Sequence, residues 1–220
     1  MNPMARNVAA SLCLLSAQAF AGTIIYSDIA SDTGDTLAYS ANGFTQVGDQ
    51  IQLAGIDRLA SLATVQFFND GSSGTFDATL RLFNVGSPVG GQIGSDFVLT
   101  GISAPASDVF NVSFALPNLL VPDNLIFTVS AGNASAGVDI IGLDLFEPPT
   151  VGSSDNTFAI ANDGTNFVQA ATANENVFFE LQATSAVSAP EPVTAVLAGS
   201  ALLAFILFRR CASGWLGASR

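Results

Sequence analysis

The sequence predicts an all-β protein, an antiparallel β-sandwich or jelly roll, flanked by one apolar helix at each terminus. The first observation is a two-residue alternation of apolar and polar side chains, which is typical of strands that bury one face. The second is the placement of turn-forming residues between those runs. The third is that residues 22–190 show no sustained helical stripe. We expect about eight to eleven short strands in one domain.

The alternation is clearest in four runs that are bounded by turn residues. The turn sequence Asn-Asp-Gly at 69–71 follows the first run, and Pro-Asp-Asn at 122–124 separates the second from the third. Each run predicts a strand whose apolar side chains share one core. The apolar positions are Ala63, Val65 and Phe67; Phe110, Val112, Phe114 and Leu116; Leu125, Phe127 and Val129; and Val177, Phe179 and Leu181.

The amino terminus has the three parts of a secretory signal peptide. A short segment with one arginine precedes an uncharged and mostly apolar run at 8–17. Ala19 and Ala21 are small residues at the two positions that a signal peptidase reads, so we expect Gly22 to begin the exported domain. Residues 1–21 are therefore predicted to be a helical signal peptide, with signal peptidase as a partner.

The carboxyl terminus contains an uncharged apolar run at 193–208, followed by Arg209 and Arg210. A helix of this length spans about 24 Å, which is less than the roughly 30 Å of a bilayer's hydrocarbon core. A buried core helix is therefore the alternative. The two arginines favour a membrane helix, because cationic residues stay on the cytoplasmic side. We expect residues 193–208 to cross the membrane and residues 211–220 to form a cytoplasmic tail.

The same region resembles a known sorting signal. The order Pro190-Glu191-Pro192, apolar run and arginine pair is similar to the PEP-CTERM signal of Gram-negative bacteria. This resemblance, at residues 190–210, implies that an exosortase-like enzyme in the membrane processes the chain near the tripeptide. It also implies an inner-membrane-anchored precursor whose destination is the cell surface or the extracellular matrix. The chain departs from the family by continuing for ten residues after Arg210.

A second resemblance lies inside the domain. Residues 80–83 (Leu-Arg-Leu-Phe), followed by residues 86–88 (Gly-Ser-Pro), are similar to a hairpin of the choice-of-anchor surface domains. Those domains are jelly-roll-like and often precede PEP-CTERM tails. The resemblance therefore implies the same architecture for the part of this chain that precedes the tail.

The chain between the two termini is strongly acidic. Residues 22–190 carry 17 acidic side chains against Arg58 and Arg81, and they contain no Lys, His, Cys, Met or Trp. Disulfides are therefore excluded within the domain, and nucleic acid is an unsuitable partner because phosphate contacts depend on clustered Lys and Arg. The charge favours solubility and attracts divalent cations. This composition predicts an extracellular module at 22–182, followed by a flexible spacer at 183–189.

The same absences exclude most catalytic devices. Without His or Cys, neither a Ser-His-Asp nor a Cys-His arrangement can form, and an ordinary zinc site lacks its ligands. Two carboxylates that act as acid and base remain open, with Glu147, Glu175 and Glu180 as the candidate glutamates. Glu180 falls on the polar face of a predicted strand, where the alternative interpretation is a carboxylate that simply faces solvent. We expect no enzymatic activity.

Calcium is the one cofactor for which the sequence offers ligands. Ca²⁺ takes six to eight oxygens, and aspartate-rich turns can supply them. The best candidates are Asp32 and Asp35 in one turn, and Asp70 with Asp77 around another. Neither turn matches an EF-hand loop, and aspartates also favour turns by hydrogen-bonding their own backbone. Both interpretations of these turns remain open at this point.

The leading functional hypothesis is a structural or adhesive role in the extracellular polymer layer. The alternative is a carbohydrate-binding module, stabilised by calcium, whose partner is extracellular polysaccharide. Sugar sites stack aromatic rings against pyranose faces, and Tyr39 is the ring that we expect to be most exposed. A glycan-active enzyme that uses two carboxylates is the third hypothesis.

Overall fold

The computed structural model describes residues 22–39, 44–86, 91–154, 159–162, 167–170 and 175–184. Within these ranges the chain is all-β, with two antiparallel sheets and no helix. The strands are β1 (Thr23–Ser27), β2 (Asp32–Ala38), β3 (Gln46–Gln52), β4 (Leu59–Asn69), β5 (Gly74–Asn84), β6 (Phe97–Ala104), β7 (Asp108–Leu120), β8 (Asn124–Gly132), β9 (Ile140–Phe146), β10 (Ser153–Ser154), β11 (Ala159–Asn162), β12 (Phe167–Ala170), β13 (Asn176–Val177) and β14 (Phe179–Thr184).

The described ranges hold fourteen strands, so the expectation of eight to eleven was too low. The additional strands are short: β10 and β13 have two residues each, and β11 and β12 have four. Segments this short carry no readable alternation, and their pairing with longer strands defines them. The two predicted terminal helices lie outside the described residues.

The first sheet is built around β4. Along one edge β4 pairs with β7, and along the other it pairs first with β14 and then with β9. β1 joins β14, while β2 and β13 join opposite edges of β9. β2, which contains the acidic turn predicted from the sequence, therefore lies on one side of β9, and β13 lies on the other.

The second sheet has the order β12-β11-β3-β8-β5-β6, with β10 also paired to β3. Its central strand β8 is buried on both faces. Phe127 points towards the core, and the neighbouring Ile126 and Thr128 are buried as well. The alternation predicted for this strand is therefore present, but its other face is covered too.

The core lies between the inward faces of the two sheets, and aromatic side chains join them. The rings of Phe127 from β8 and Phe179 from β14 stack with centroids 3.9 Å apart. Phe67 from β4 and Phe76 from β5 meet edge to face at 5.2 Å. Three of the four predicted strands are confirmed as β4, β7 and β8, and their alternating apolar side chains supply much of this core. The fourth predicted run is divided, because Val177 lies in β13 whereas Phe179 and Leu181 lie in β14.

The start and the end of the described domain lie side by side. Thr23 of β1 pairs with Ala183 of β14. β14 continues to Thr184, two residues beyond the predicted domain limit at 182. The sheet is therefore hydrogen-bonded up to Thr184, only six residues before Pro190.

Candidate functional site

The predicted calcium turn at Asp32 and Asp35 lies in β2, where that strand bulges. Asp32 and Thr36 keep their pairing with β9, but the residues between them do not. The Asp32 carboxylate accepts a hydrogen bond from the Gly34 amide at 2.7 Å. Gly34 has a φ of 80°, a conformation that glycine adopts without steric cost. The bulge therefore holds both aspartates at the surface of the sheet.

Asp144 lies in β9 beneath this bulge, opposite Thr36. Its side chain is 3% exposed, and its Oδ2 atom has no hydrogen-bond partner among the residues that the structure describes. Burial, and to a smaller extent the charge of Asp32, raise the pKa of Asp144 to about 6. Asp144 is therefore a carboxyl group that changes its charge close to neutral pH.

An open cleft of about 140 Å³ connects this pair to solvent. We call it the β2 cleft. It combines one buried carboxyl group, one exposed carboxylate, a hydroxyl group and two apolar side chains. Its lining residues are Asp32, Gly34, Thr36, Phe68, Val109 and Asp144.

A second pair of carboxyl groups lies at the same bulge. The side chains of Asp35 and Glu175 are close enough to interact. Burial first, and then the charge and hydrogen bond of Asp35, raise the pKa of Glu175. The structure thus brings two of the predicted calcium ligands together with two acidic residues from distant parts of the chain.

Asp70 and Asp77, the other two predicted ligands, lie elsewhere. Asp70 is in the β4–β5 turn, and its amide donates to the Asp139 carbonyl at 2.9 Å. Asp77 is in β5, and its carboxylate accepts hydrogen bonds from Asn133 Nδ2 at 2.7 Å and from the Gly101 amide at 2.9 Å. These bonds, that of Asn133 first, lower the pKa of Asp77.

Across the described ranges, no group of three or more Asp, Glu, His or Cys side chains is arranged to hold a metal ion. Calcium binding by Asp32, Asp35, Asp70 and Asp77 therefore stays a prediction.

The three glutamates considered for catalysis lie on different elements. Glu147 is exposed just after β9. Glu180 is on the outer side of β14 and accepts a hydrogen bond from Gln182 Nε2 at 2.9 Å. Glu175 directly precedes β13 and faces Asp35, as described above. The structure therefore pairs Asp32 with Asp144 and Asp35 with Glu175, and the sequence predicted neither pair.

The expectation that Tyr39 is the most exposed aromatic ring was wrong. Tyr39 is 9% exposed, and its hydroxyl donates to the Val129 carbonyl at 3.0 Å. Burial raises its pKa above the usual range. A tyrosine can enter a core when its hydroxyl finds such an acceptor. The large hydrophobic side chains that the described residues do expose are aliphatic, and Ile56 is the most exposed of them at 93%.

A further acidic group, which the sequence reasoning missed, lies inside the sandwich. Asp28, just after β1, and Asp49, in β3, are both 0% exposed. Asp49 takes an inward position between Val47 and Ile51, which are core residues. Gly48, the residue before Asp49, lets β3 pack closely against β8, because a Cβ atom at this position would overlap the Phe127 carbonyl oxygen. The alternation Val47-Asp49-Ile51 was a signal in the sequence that an aspartate would face the core.

Of these two buried aspartates, Asp28 has more carboxylate oxygens without a hydrogen bond. Neither of its carboxylate oxygens has a hydrogen-bond partner within the described part of the chain. Its amide is bonded, since it donates to the Phe179 carbonyl at 3.1 Å. Burial raises the pKa of Asp28 to about 8.

Tyr26 links the two aspartates to two further polar side chains, Ser154 and Asn176. Tyr26 is fully buried, and burial raises its pKa above the usual range, with further contributions from the charges of Asp49 and Asp28. Ser154 comes close enough to the Tyr26 hydroxyl to lower its pKa slightly, although without the geometry of a full hydrogen bond. The Ser154 hydroxyl donates to Oδ1 of Asn176, which is also fully buried.

We call Tyr26, Asp28, Asp49, Ser154 and Asn176 the inter-sheet cluster. Its members come from both sheets, since β1 and β13 belong to the first and β3 and β10 to the second. All of their side-chain polar atoms are oxygens apart from the amide nitrogen of Asn176. The cluster is therefore an oxygen-rich and acidic group within an otherwise apolar core.

An amide-lined cleft of about 210 Å³ lies beside β3 and β10. Ser153 Oγ donates to Gln52 Oε1 within it at 3.1 Å. Ser154 belongs both to this cleft and to the inter-sheet cluster. The residues lining the amide cleft are Gln50, Ile51, Gln52, Asn124, Ser153 and Ser154.

The predicted terminal signals are mostly outside the described residues. Gly22, the expected first residue of the exported domain, precedes β1 and packs near Gln182. Ala19 and Ala21 lie outside, as do Pro190-Glu191-Pro192, the apolar run at 193–208 and the arginine pair. In the ranges that the structure covers, no helix is long and apolar enough to span a membrane.

No protein-family model, curated protein or solved structure matches this chain.

Proposed function

We propose that this protein is an exported, non-catalytic component of the cell surface or extracellular matrix of a Gram-negative bacterium, with a structural or adhesive role. In this proposal a signal peptide directs export, and an exosortase-like enzyme processes the PEP-CTERM-like tail after residues 193–208 have held the precursor in the inner membrane. The ectodomain is a jelly-roll-type sandwich.

The observation that carries the proposal is the order of elements at the end of the chain. An acidic all-β domain, hydrogen-bonded up to Thr184, is followed within six residues by Pro190-Glu191-Pro192, an apolar run and two arginines. The short interval leaves room for a spacer and for no further domain before the signal. The domain's charge supports an extracellular setting, because a strongly charged surface favours solubility and repels like chains.

The test is the intact mass of the protein from its host, measured separately in membrane and released fractions. The proposal expects a released chain that begins at Gly22 and ends near Pro190. A Glu191→Ala variant should keep the tail and stay in the membrane fraction. Glu147→Ala, in the Glu-Pro-Pro sequence after β9, is the matched control and should be processed normally. A wild-type chain that ends at Arg220 and is found only in membranes would overturn the proposal.

Carbohydrate binding is the second candidate, and the amide cleft favours it. Side-chain amides and hydroxyls donate and accept hydrogen bonds, as sugar hydroxyls require, and Gln50, Gln52 and Asn124 supply them there. A screen against bacterial polysaccharides tests this candidate. Binding that is lost in a Gln50→Ala/Gln52→Ala variant and kept in Glu147→Ala would support it, whereas binding unaffected by the double substitution would exclude this cleft.

A further inference from the structure

In the described part of the chain, no basic side chain forms an ion pair with the buried Asp28 carboxyl group. An ionised carboxylate that leaves water needs a partner of opposite charge or hydrogen bonds to its oxygens. Residues 22–190 contain only two basic side chains, Arg58 and Arg81. Arg58 binds Asp123 at 2.7 Å, and Arg81 binds Asp96 at 2.7 Å. No basic side chain of the domain is therefore left to neutralise the interior.

The side-chain atoms of the inter-sheet cluster are the kind that a hard cation prefers. The inter-sheet cluster presents the carboxylates of Asp28 and Asp49, the Oδ1 atom of Asn176, and the hydroxyls of Ser154 and Tyr26. Ca²⁺ takes six to eight oxygens in flexible geometry, whereas Mg²⁺ demands a near-ideal octahedron and keeps several waters. A buried group of protein side-chain oxygens suits Ca²⁺ better than Mg²⁺, which keeps several of its waters.

We propose that the inter-sheet cluster is a calcium site, with Asp28 and Asp49 as its two charged ligands. Two carboxylates balance the charge of one Ca²⁺ ion, and neutral oxygens complete its coordination. This assignment explains why Asp28 is fully buried with two unpartnered oxygens in the described part of the chain. It does not depend on the sorting signal, and it differs from the turns that the sequence suggested.

The position of the site gives it a structural role. Asn176 lies in the first sheet and Asp28 directly follows its strand β1, whereas Asp49 and Ser154 lie in the second sheet. A bound ion therefore links the two sheets, in a domain whose cysteine-free sequence allows no disulfide. Ser154 also lines the amide cleft, so the cluster and the cleft share this residue.

The proposal is tested by thermal unfolding of the full-length chain in detergent, after treatment with a chelator. Extracellular calcium modules have Kd values of about 10⁻⁴ to 10⁻³ M, so about 5 mM CaCl₂ should raise the Tm by roughly 5 °C. The same concentration of MgCl₂ should have a much smaller effect. Asp28→Asn should lose the response to calcium, and Asp144→Asn, in the β2 cleft, should keep it.

An Asn176→Asp variant makes the test independent of whether Asp28→Asn folds. A third carboxylate in a real site should tighten calcium binding, measured by titration calorimetry, by about tenfold or more. The proposal is overturned if calcium and magnesium raise the wild-type Tm equally, which indicates general screening of an acidic surface. It is also overturned if Asp28→Asn responds as the wild type does, or if Asn176→Asp binds calcium no more tightly.

Discussion

Asp28 and Asp144 are both buried aspartates with an unpartnered oxygen among the described residues, but they lie on opposite sides of the first sheet. Asp28 belongs to the inter-sheet cluster in the core. Asp144 alternates with the core residues Leu143 and Leu145, so it faces outwards, and the bulge of β2 covers it. Burial alone raises the pKa of Asp28 to about 8, whereas burial and the charge of Asp32 together bring Asp144 to about 6.

The comparison shows that depth of burial outweighs a like-charged neighbour in this protein. Removing a carboxylate from water disfavours its charged form directly, while a neighbouring charge near the surface is screened by solvent. The two sites consequently suit different ligands. Asp144, which is next to an open cleft, can exchange protons with solvent near pH 6. Asp28 in the core, whose pKa burial raises to about 8, favours its neutral form at pH 7 unless a cation binds.

The largest expected effect is the loss of stability on replacing Phe179, an aromatic core residue next to Tyr26 of the inter-sheet cluster. Phe179 is fully buried, stacks on Phe127 and lies 6.1 Å from the Tyr26 ring. Phe179→Ala should lower the free energy of unfolding by about 3–5 kcal/mol, because it removes a large core side chain and leaves a cavity. Urea unfolding measures this change. Val98→Ala, at a side chain that is 56% exposed, is the control and should change stability by less than about 0.5 kcal/mol. Equal effects at the two positions would contradict the described core.

The next effect concerns the pH dependence of stability at Asp144. Its pKa of about 6 in the folded protein exceeds its ordinary value of 3.8. The folded state therefore binds the proton more tightly, and the stability that this group contributes is present below pH 3.8 and lost as pH rises to about 6. Relative to wild type, Asp144→Asn should gain on the order of 2 kcal/mol between about pH 4 and pH 7. Urea unfolding at several pH values measures the difference.

Asp77 provides a control, because its contribution to stability should change with pH in the direction opposite to that of Asp144. Hydrogen bonds from Asn133 and Gly101 lower its pKa, so the stability that it contributes is present at neutral pH and lost as pH falls through the folded pKa. Asp77→Asn should therefore be less stable than wild type at neutral pH and approach it in acid. If Asp144→Asn and Asp77→Asn change with pH in the same direction, the assigned environments are wrong.

The smallest effect isolates the contribution of the neighbouring charge in the β2 cleft. Asp32→Asn should lower the pKa of Asp144 by less than about one unit, because burial is the larger cause of its shift and surface interactions are screened. Carboxyl ¹³C chemical shifts followed against pH measure it. Asp35→Asn, in the same bulge, should act on Glu175 and leave Asp144 nearly unchanged. A return of Asp144 to its ordinary pKa in Asp32→Asn would show that charge, and not burial, controls the site.

The sequence predicted the long strands well, because each carries its own evidence. β4, β7, β8 and β14 alternate apolar and polar residues over many positions, and their inward side chains form the core. β10 and β13 have only two residues each, so their strand character depends on pairing with distant segments. Local patterns cannot indicate such pairing.

The candidate sites were predicted less completely, and the reason is distance along the chain. Asp32 and Asp35 stood out because they share one turn, but Asp144 approaches them only because β2 pairs with β9. At the bulge of β2, the Thr33 hydroxyl donates to the carbonyl of Leu145, 112 positions away. Asp49 was visible in the alternation of β3, whereas nothing local indicated that Asp28 would be fully buried. Tyr39 was misjudged because its acceptor, the Val129 carbonyl, lies 90 positions away.

The most direct test of the calcium site in the core uses Tb³⁺, an oxygen-seeking ion that replaces Ca²⁺ and emits when a nearby tyrosine transfers its excitation. The chain has two tyrosines and one tryptophan, so a Trp215→Phe background leaves Tyr26 and Tyr39 as donors. With Tb³⁺ at saturation, Tyr26→Phe should remove most of the tyrosine-excited emission, Tyr39→Phe should retain most of it, and excess Ca²⁺ should quench it. Emission that survives Tyr26→Phe, or that Ca²⁺ does not displace, would contradict a calcium site in the inter-sheet cluster.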